Sequence, residues 1–159
     1  MPNLGILTTS DLGARGERED TSGQAIREVM EAHGYTVVLY EVIPDELELI
    51  QTRLLDWAES GQVDVVVTTG GTGLGSRDVT PEATATVIER QIPGIPEAMR
   101  LETLKHTPLA ILSRGIAGTR ANCLIVNLPG SPKGVRECLG VVLLALNHAV
   151  DILKGNPGH

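Results

Sequence analysis

The chain has 159 residues, of which 42% are hydrophobic and 21% charged, and this composition is typical of one globular domain rather than a disordered or fibrous protein. Its 13 Lys and Arg residues against 20 Asp and Glu residues give a net charge of −7, which disfavours a polyanionic partner such as nucleic acid. The chain also lacks Phe, so few aromatic rings are available to stack on bases. We therefore expect one domain over residues 1–159 and no nucleic-acid partner.

The cysteines and the apolar segments bear on redox chemistry and location. Cys123 and Cys138 are too few for a disulfide framework and lack the spacing of a zinc or redox site, so we expect two buried apolar thiols. The most apolar segment, residues 141–150, is interrupted by Asn147 and His148. No stretch after Met1 has the basic start and long apolar run of a signal peptide. The sequence therefore predicts no membrane span and a cytoplasmic location.

Apolar runs and helical periods alternate along the chain. Short runs, several of them β-branched, predict strands buried on both faces at residues 4–7, 37–40, 63–67, 109–112 and 124–126. Helical periodicity predicts helices at residues 22–33, 46–59, about 96–105 and about 133–154, and a further helix opened by Thr80 as N-cap and Pro81 as its first residue. This alternation predicts an α/β fold with three layers, in which a mostly parallel sheet is covered by helices on both faces.

Two features of this pattern leave alternatives open. The connection over residues 113–122 is barely long enough for a helical crossover, so the strands that it joins are either parallel or antiparallel. The last predicted helix has one apolar stripe from Val135 to Leu153 and a second one formed by Val141, Leu144 and Ala145. A helix that is apolar on two sides is buried on two sides, either inside the monomer or at a subunit interface, and we favour an oligomer.

Polar segments follow the predicted strands. In an open α/β sheet, ligands bind beyond the carboxyl ends of parallel strands, so four of these segments are expected to converge on one site. The segment that contains Ser113 joins them only if its strand is parallel to the others. The five segments are residues 8–11, 43–46, 68–73, 113–115 and 127–133, and they are rich in hydroxyls, carboxylates and glycine N–H groups.

The glycine-rich segment Thr69-Gly70-Gly71-Thr72-Gly73 matches neither the P-loop nor the dinucleotide fingerprint. Four glycines within residues 70–75 exceed what one turn needs, which favours backbone N–H groups that approach a phosphate or an amide-bearing ring; a sharp strand exit without a ligand is the alternative. In Pro129-Gly130-Ser131-Pro132, Ser131 is a natural N-cap and Pro132 the first residue of the last helix. That helix start is either an anion site or a plain junction.

Two aspartates are candidates for chemistry. Asp78 precedes the predicted cap at Thr80 and is not needed for it, so it is free to hold a hydrated Mg²⁺ against substrate phosphates. Its alternatives are a local turn or an ion pair with Arg77. Asp45, with Glu48 three residues later, also has the spacing of a capping box at the start of a helix.

Seven short segments, in order along nearly the whole chain, share a pattern with one known family. They are Ser10-Asp11, Asp20-Thr21-Ser22-Gly23, Ile43-Pro44-Asp45-Glu46, Thr69-Gly70-Gly71-Thr72-Gly73, Arg77-Asp78-Val79-Thr80-Pro81-Glu82, Leu112-Ser113-Arg114 and Leu128-Pro129-Gly130-Ser131-Pro132. The Gly-Gly-Thr-Gly segment followed by Arg-Asp-Val-Thr-Pro-Glu is far more specific than a glycine loop alone. On these segments the chain resembles the MogA/MoaB family of molybdenum cofactor biosynthesis.

The resemblance implies a molybdopterin-binding α/β domain that transfers AMP from ATP to the terminal phosphate of molybdopterin, with Mg²⁺ as cofactor. It implies a trimer or hexamer, and a separate protein for molybdate insertion. The family's catalytic residues fall on Asp45, Asp78 and Ser113, and we assign Mg²⁺ to the two aspartates. The substrate-binding residues fall on Ser10, Thr69, Gly70, Gly71, Thr72, Gly73, Pro129, Gly130, Ser131 and Pro132. The alternatives are a molybdopterin carrier without nucleotidyl transfer and an oligomerising scaffold.

Overall fold

The computed structural model describes residues 1–156, and the last three residues of the expected domain lie outside that range. Its centre is a six-stranded sheet with the order β2-β1-β3-β6-β5-β4. The strands are β1 Asn3–Thr9, β2 Thr36–Ile43, β3 Val65–Thr69, β4 Arg90–Gln91, β5 Ala117–Arg120 and β6 Cys123–Leu128. The helices are α1 Asp11–Ala14, α2 Thr21–Ala32, α3 Leu47–Glu59, α4 Thr80–Val87, α5 Gly94–Thr103 and α6 Pro132–Leu153, with a 3₁₀ helix at Pro108–Leu112.

The strand directions place four strand ends at one edge of the sheet. β1 is parallel to both β2 and β3, and β3 is parallel to β6. β5 is antiparallel to β6 and to β4. The carboxyl ends of β1, β2, β3 and β6 therefore meet at the same edge, and the predicted α/β fold with a mostly parallel sheet is confirmed.

The sheet has a separate apolar core on each face, because successive side chains of a strand point to opposite faces. Val65 and Val67 pack with α2, α5 and α6, where Ile26 and Leu139 are buried. Val66 packs on the other face with α3 and α4. These two cores produce the expected three layers.

The cysteines contribute to these cores. Cys123 lies in the core under α3 and α4, and Cys138 in the core under α6. Both are free thiols, and burial raises the pKa of each to about 12. The expectation of two buried apolar thiols is confirmed.

The strand expected at residues 109–112 is wrong, since this run forms the 3₁₀ helix. Pro108 begins the helix, and the Thr107 hydroxyl caps it by accepting a hydrogen bond from the Leu109 N–H. Proline has no N–H to give to a sheet and its φ suits the first residue of a helix, so the local chemistry outweighs the apolar pattern. Ile111 is 68% exposed, which also excludes a buried strand.

The antiparallel pair lies further along the chain than expected. β5 and β6 form a hairpin through Ala121 and Asn122, with Ala121 at φ +51°. β5 carries no apolar run, because its sequence is Ala-Gly-Thr-Arg, and β4 has only two residues. Neither strand therefore has the periodic signal from which a strand is predicted.

The start of α4 also differs from expectation. Val79 precedes the helix and makes no side-chain cap, so Thr80 is not the N-cap. The Thr80 hydroxyl is buried and lies 3.0 Å from the Thr9 hydroxyl instead. This hydrogen bond joins the end of β1 to the start of α4, next to the glycine-rich segment.

In α6, the stripe that begins at Val135 is buried in the core. Of the second stripe, Val141 is half-buried, whereas Leu144 is 85% exposed. The second apolar side is thus largely uncovered in a single chain. Within residues 1–156, no helix combines the length and apolar character needed to cross a bilayer.

Candidate active site

A cleft of about 420 Å³ lies at the edge where β1, β2, β3 and β6 end. We call it the acidic cleft; it is lined by Thr8, Thr9, Ser10, Gly13, Arg18, Glu19, Asp20, Thr21, Ser22, Val42, Asp45, Thr69, Gly70, Gly71, Asp78, Gly130, Ser131 and Pro132. Among these are nine of the residues expected from the sequence, namely Ser10, Asp45, Thr69, Gly70, Gly71, Asp78, Gly130, Ser131 and Pro132. The four strand ends therefore converge on one site.

Asp45 does not cap α3. The helix begins at Leu47, and Glu46 at the cap position makes no side-chain hydrogen bond, so the capping-box interpretation is wrong. Asp45 Oδ2 accepts a hydrogen bond from the Asp11 N–H at 3.0 Å. Burial raises the pKa of the Asp45 carboxyl, and the negative charges of Asp11 and Asp78 raise it further. Asp45 is thus a half-buried carboxylate whose ionised form is costly, which is typical of functional groups.

Asp78 lies on the loop between β3 and α4. Its Oδ2 accepts a hydrogen bond from the Gly75 N–H at 2.9 Å, so the local turn that the sequence left open is present. The alternative ion pair is not formed, because Arg77 binds Asp11 instead. Asp78 Oδ1 accepts no hydrogen bond from any residue within 1–156 and remains available to a ligand.

Asp20, Glu19 and Arg18 are the other charged residues that line the cleft. Asp20 Oδ2 accepts hydrogen bonds from the hydroxyls of Thr8 and Tyr40, and its Oδ1 accepts from the Gly23 N–H. These bonds occupy Asp20, so its role is to fix the start of α2 against β1 and β2. Arg18 is exposed and has no ion-pair partner in the part of the chain that is described.

Gly70 and Gly71 make the turn that brings the main chain of β3 into the cleft. Their φ angles are +94° and +68°, in the left-handed region that favours glycine. A Cβ at Gly70 would lie 2.3 Å from the Thr9 carbonyl oxygen, and one at Gly71 would lie 2.2 Å from Thr80 Oγ1. The turn therefore needs glycine for both its conformation and its close packing.

The loop from Pro129 to Pro132 forms one wall of the cleft. The Thr69 hydroxyl donates to the Pro129 carbonyl at 2.6 Å, and the Ser22 hydroxyl donates to the Gly130 carbonyl at 3.1 Å. Ser131 caps α6 by accepting from the Gly134 N–H at 3.0 Å, as expected. Pro132 has no N–H, and the Gly134 and Val135 N–H groups both donate to Ser131, so within the described residues the Lys133 N–H is the one left unbonded in the first turn. The positive end of this 22-residue helix lies beside the cleft, where it favours an anion.

Ser113 lies in a neighbouring pocket of about 280 Å³ rather than in the acidic cleft. We call it the apolar pocket; its apolar wall is formed by Pro96, Met99, Leu109, Ala110, Pro129 and Cys138, and its polar groups come from Arg100, Thr103, His106, Thr107, Ser113, Gly115, Asn127, Ser131, Lys133, Gly134 and Glu137. Ser131 lines both spaces. Thr72 and Gly73 line neither; their carbonyls accept hydrogen bonds from Arg114.

The sequence analysis assigns no role to several residues that the structure places at or beside the site. Asp11 and Arg114 act through contacts with residues far away in the chain. Asn127 is buried in β6, where it donates to the hydroxyls of Thr68 and Thr84. A polar amide within the apolar run of β6 is the one signal from which Asn127 could have been found, because buried polar groups need partners.

The carboxylates fit a magnesium ion that is shared with a phosphate-bearing substrate. No cluster of three or more potential ligand side chains is present within the described range, so a cage made by protein alone is not found there. Mg²⁺ needs no such cage, because it is usually held by one or two carboxylates together with substrate phosphates and water. Asp45 and Asp78 line the same cleft, and the charge of Asp78 raises the pKa of Asp45, so these two carboxylates supply that number.

Comparison with known proteins identifies the family of the chain. A family model described as probable molybdopterin binding domain matches residues 5–148. The chain is 46% identical over 156 residues to a molybdopterin adenylyltransferase of Helicobacter pylori, an alignment that covers 97% of this chain and 89% of that protein.

Solved structures show the same likeness. A molybdopterin biosynthesis enzyme MoaB from Thermus thermophilus is 51% identical and superposes with a TM-score of 0.92, with all of both chains covered. The Mog protein from Mycobacterium ulcerans is 38% identical with a TM-score of 0.89, and 96% of this chain and 99% of that chain are covered. The chain therefore belongs to the MogA/MoaB family of molybdopterin-binding domains.

Proposed function

We propose that this protein is a molybdopterin adenylyltransferase, which transfers AMP from ATP to the terminal phosphate of molybdopterin and releases pyrophosphate. The observation that carries the proposal is that Asp45 and Asp78 line an acidic cleft whose wall is shared with an apolar pocket. The relative of that name supports the reaction. Two adjoining spaces of unlike chemistry suit a reaction between a nucleotide and a phosphate attached to an organic ring.

The two spaces suggest where each substrate binds. The apolar pocket, with Met99 and Leu109 in its wall, suits the planar pterin ring, and its polar groups suit the ring amides. The acidic cleft, with Arg18 and the turn at Gly70 and Gly71, suits the triphosphate of ATP. Ser131, at the positive end of α6, lines both spaces. The start of this helix is therefore placed to hold the terminal phosphate of the pterin between the two substrates.

The chemical step then needs positioning and charge stabilisation rather than a nucleophile from the protein. An oxygen of the pterin phosphate attacks the α-phosphorus of ATP and forms a new P–O bond. The bond from the α-phosphorus to the bridging oxygen breaks, and pyrophosphate leaves with the electron pair. A separate protein that inserts molybdate would consume the adenylylated pterin.

Asp45 and Asp78 are the residues that would hold Mg²⁺. When bound with ATP, Mg²⁺ neutralises phosphate charge and stabilises the leaving pyrophosphate. The raised pKa of Asp45 fits this role, since a nearby cation favours the ionised carboxylate that burial disfavours. The free Oδ1 of Asp78 provides the second ligand.

We also propose that the protein assembles as a homo-oligomer, a trimer or a hexamer. Large apolar side chains are exposed on three helices, and monomers rarely leave large contiguous apolar patches uncovered. They are Leu144 on α6, Leu101 on α5, and Leu109 and Ile111 on the 3₁₀ helix. Sedimentation velocity at several protein concentrations tests this, and a monomer at every concentration would contradict it.

The first test of function is incubation of the purified protein with molybdopterin, ATP and MgCl₂, followed by chromatography of the products. We expect adenylylated pterin and pyrophosphate in equal amounts, with neither formed when EDTA is added. Tight pterin binding without pyrophosphate would refute the transferase and indicate a carrier.

A further inference from the structure

Arg114 holds both ends of the loop that carries Asp78. Its guanidinium donates from Nε to the Gly73 carbonyl at 2.8 Å and from Nη2 to the Asp78 carbonyl at 2.8 Å. Its main-chain N–H donates to the Thr72 carbonyl at 3.0 Å. Hydrogen bonds from a charged donor are about twice as strong as neutral ones, so this one side chain fixes the span of the loop.

The loop has few other attachments within the described residues. Leu74 is 68% exposed, and between Gly73 and Asp78 the internal hydrogen bonds join only Gly75 and Asp78. At the base of the loop the Thr80 N–H donates to the Gly71 carbonyl at 3.2 Å. The side chain of Arg77 joins the loop to the end of β1 through an exposed ion pair with Asp11. Because a surface ion pair contributes little, the position of Asp78 depends mainly on Arg114.

Arg114 is itself anchored to the wall of the apolar pocket. Arg100 on α5 donates from Nη1 to the carbonyls of Ser113 and Gly115, at 3.2 and 3.0 Å. Ser113 and Gly115 lie on either side of Arg114 in the chain, and both of them line the apolar pocket together with Arg100. The two arginines thus connect that pocket, through the segment 113–115, to the loop of the acidic cleft.

The ion pair of Arg114 with Glu82 is a separate contact that can be removed on its own. Glu82 lies in the first turn of α4, and its side chain is 50% exposed, compared with 33% for Arg114. Both side chains are exposed enough that the ion pair between them contributes little to stability. The hydrogen bonds to the loop carbonyls, rather than the pairing with Glu82, are therefore the contacts expected to affect Asp78.

We propose that Arg114 is a positioning residue for the transfer reaction: it fixes the Asp78 loop against the wall of the apolar pocket, so that the metal-binding carboxylate is set relative to the pterin. This inference rests on the proposed function. Arg114 lines neither the acidic cleft nor the apolar pocket and acts through the main chain of the loop.

The test compares Arg114→Lys with two controls. Lysine keeps the positive charge beside Glu82, but its single ammonium group cannot reproduce the planar fork that spans Gly73 and Asp78. Glu82→Gln removes only the ion pair. Arg120→Lys is a matched control, because Arg120 also pairs with a glutamate, Glu59, also bonds a carbonyl and has a side-chain exposure of 28%.

We expect Arg114→Lys to lower kcat about 10- to 100-fold, as is found when a residue that orients a metal ligand is lost, while the KM for molybdopterin stays close to the wild-type value. The affinity for Mn²⁺ in the presence of ATP without pterin, measured by electron paramagnetic resonance, should fall by a similar factor. Hydrogen exchange at the Gly75 N–H should become faster. Glu82→Gln and Arg120→Lys should retain wild-type kcat and Mn²⁺ affinity.

Wild-type kcat and Mn²⁺ affinity in Arg114→Lys would overturn the proposal, and so would equal losses in either control. Arg114→Gln serves as a second variant if the lysine variant does not fold. A wild-type protein that transfers no AMP would refute the proposed function instead. In that case the Mn²⁺ affinity and the exchange at Gly75 still decide whether Arg114 positions the loop.

Discussion

Asp11 and Asp45 each bind the main chain of the other. The Asp11 N–H donates to Asp45 Oδ2 at 3.0 Å, and the Asp45 N–H donates to Asp11 Oδ1 at 2.9 Å. Arg77 donates to both carboxylate oxygens of Asp11 and lowers the pKa of that carboxyl to about 2. The two hydrogen bonds thus hold the loops after β1 and β2 together. The pKa of Asp11 is lowered, whereas the pKa of Asp45 is raised.

Replacing Asp45 by asparagine should preserve the fold and nearly stop the transfer. Because the pKa of Asp45 is raised on folding, its ionisation costs stability as the pH rises through that pKa, and asparagine avoids this cost. Asp45→Asn should therefore have a melting temperature at pH 8 equal to or above that of the wild type, and the difference should narrow as the pH is lowered towards 4. We expect kcat to fall about 10²- to 10³-fold, as when a group that stabilises developing charge is removed.

Thermal melts monitored by circular dichroism over this pH range, together with transfer assays, test both parts. A variant that is clearly less stable than the wild type at pH 8 would show that the Asp45 carboxylate has a structural role. Near-normal turnover would remove Asp45 from the metal site.

Removing the carboxylate of Asp78 should also stop the reaction without unfolding the protein. The one hydrogen bond lost, from the Gly75 N–H, lies on an exposed loop where water replaces it. We expect Asp78→Ala to lower kcat about 10²- to 10³-fold. Glu46→Gln is the matched control, because Glu46 is an exposed acid next to Asp45 that makes no side-chain cap. Equal effects of the two substitutions would indicate that only the local charge matters.

The turn at Gly71 should not tolerate a side chain. Alanine there would have a positive φ and a Cβ 2.2 Å from Thr80 Oγ1, so we expect Gly71→Ala to lose about 1–3 kcal/mol of stability. Urea denaturation measures the loss, and a neutral Gly71→Ala would show that the turn can relax.

Arg18 should contribute to nucleotide binding. It is the one cation that lines the acidic cleft within the described chain, and it has no competing ion pair there. Arg18→Gln should raise the KM for ATP about tenfold, which corresponds to the loss of one charge-assisted hydrogen bond to phosphate. Arg15→Gln is the control, since Arg15 is paired with Glu17 outside this cleft. An unchanged KM for ATP in Arg18→Gln would place the triphosphate elsewhere.

The ion pair between Arg77 and Asp11 should stabilise the protein only where Asp11 is ionised. Since the pKa of Asp11 is lowered to about 2 on folding, its contribution is present above the unfolded value, near 3.9, and is lost as the pH falls towards 2. The difference in melting temperature between the wild type and Arg77→Gln should be constant from pH 7 to about 5 and shrink below that. A difference that does not depend on pH in this range would mean that the pair has no role in stability.

The placement of the candidate site was predictable because it follows from strand direction alone. Residues after parallel strands must meet at one edge, so Asp45, Asp78 and Ser131 could be grouped from the sequence. The pairing of Asp11 with Asp45 and the contacts of Arg114 could not, because each joins segments more than 30 residues apart and depends on the exact loop geometry. The position of Ser113 stays open at the level of sequence, because the apolar run after Pro108 predicts a strand of undetermined direction, whereas in the structure proline and the Thr107 cap favour a helical turn.

The negative charge of the acidic cleft also favours one form of the nucleotide over another. Four carboxylates, those of Glu19, Asp20, Asp45 and Asp78, line it against one guanidinium. Free ATP, with several negative charges of its own, is repelled by such a surface, whereas ATP that already carries a divalent cation is repelled far less. If ATP binds at this cleft as proposed, we expect the cation bound to the triphosphate to determine entry before the adenine base is recognised.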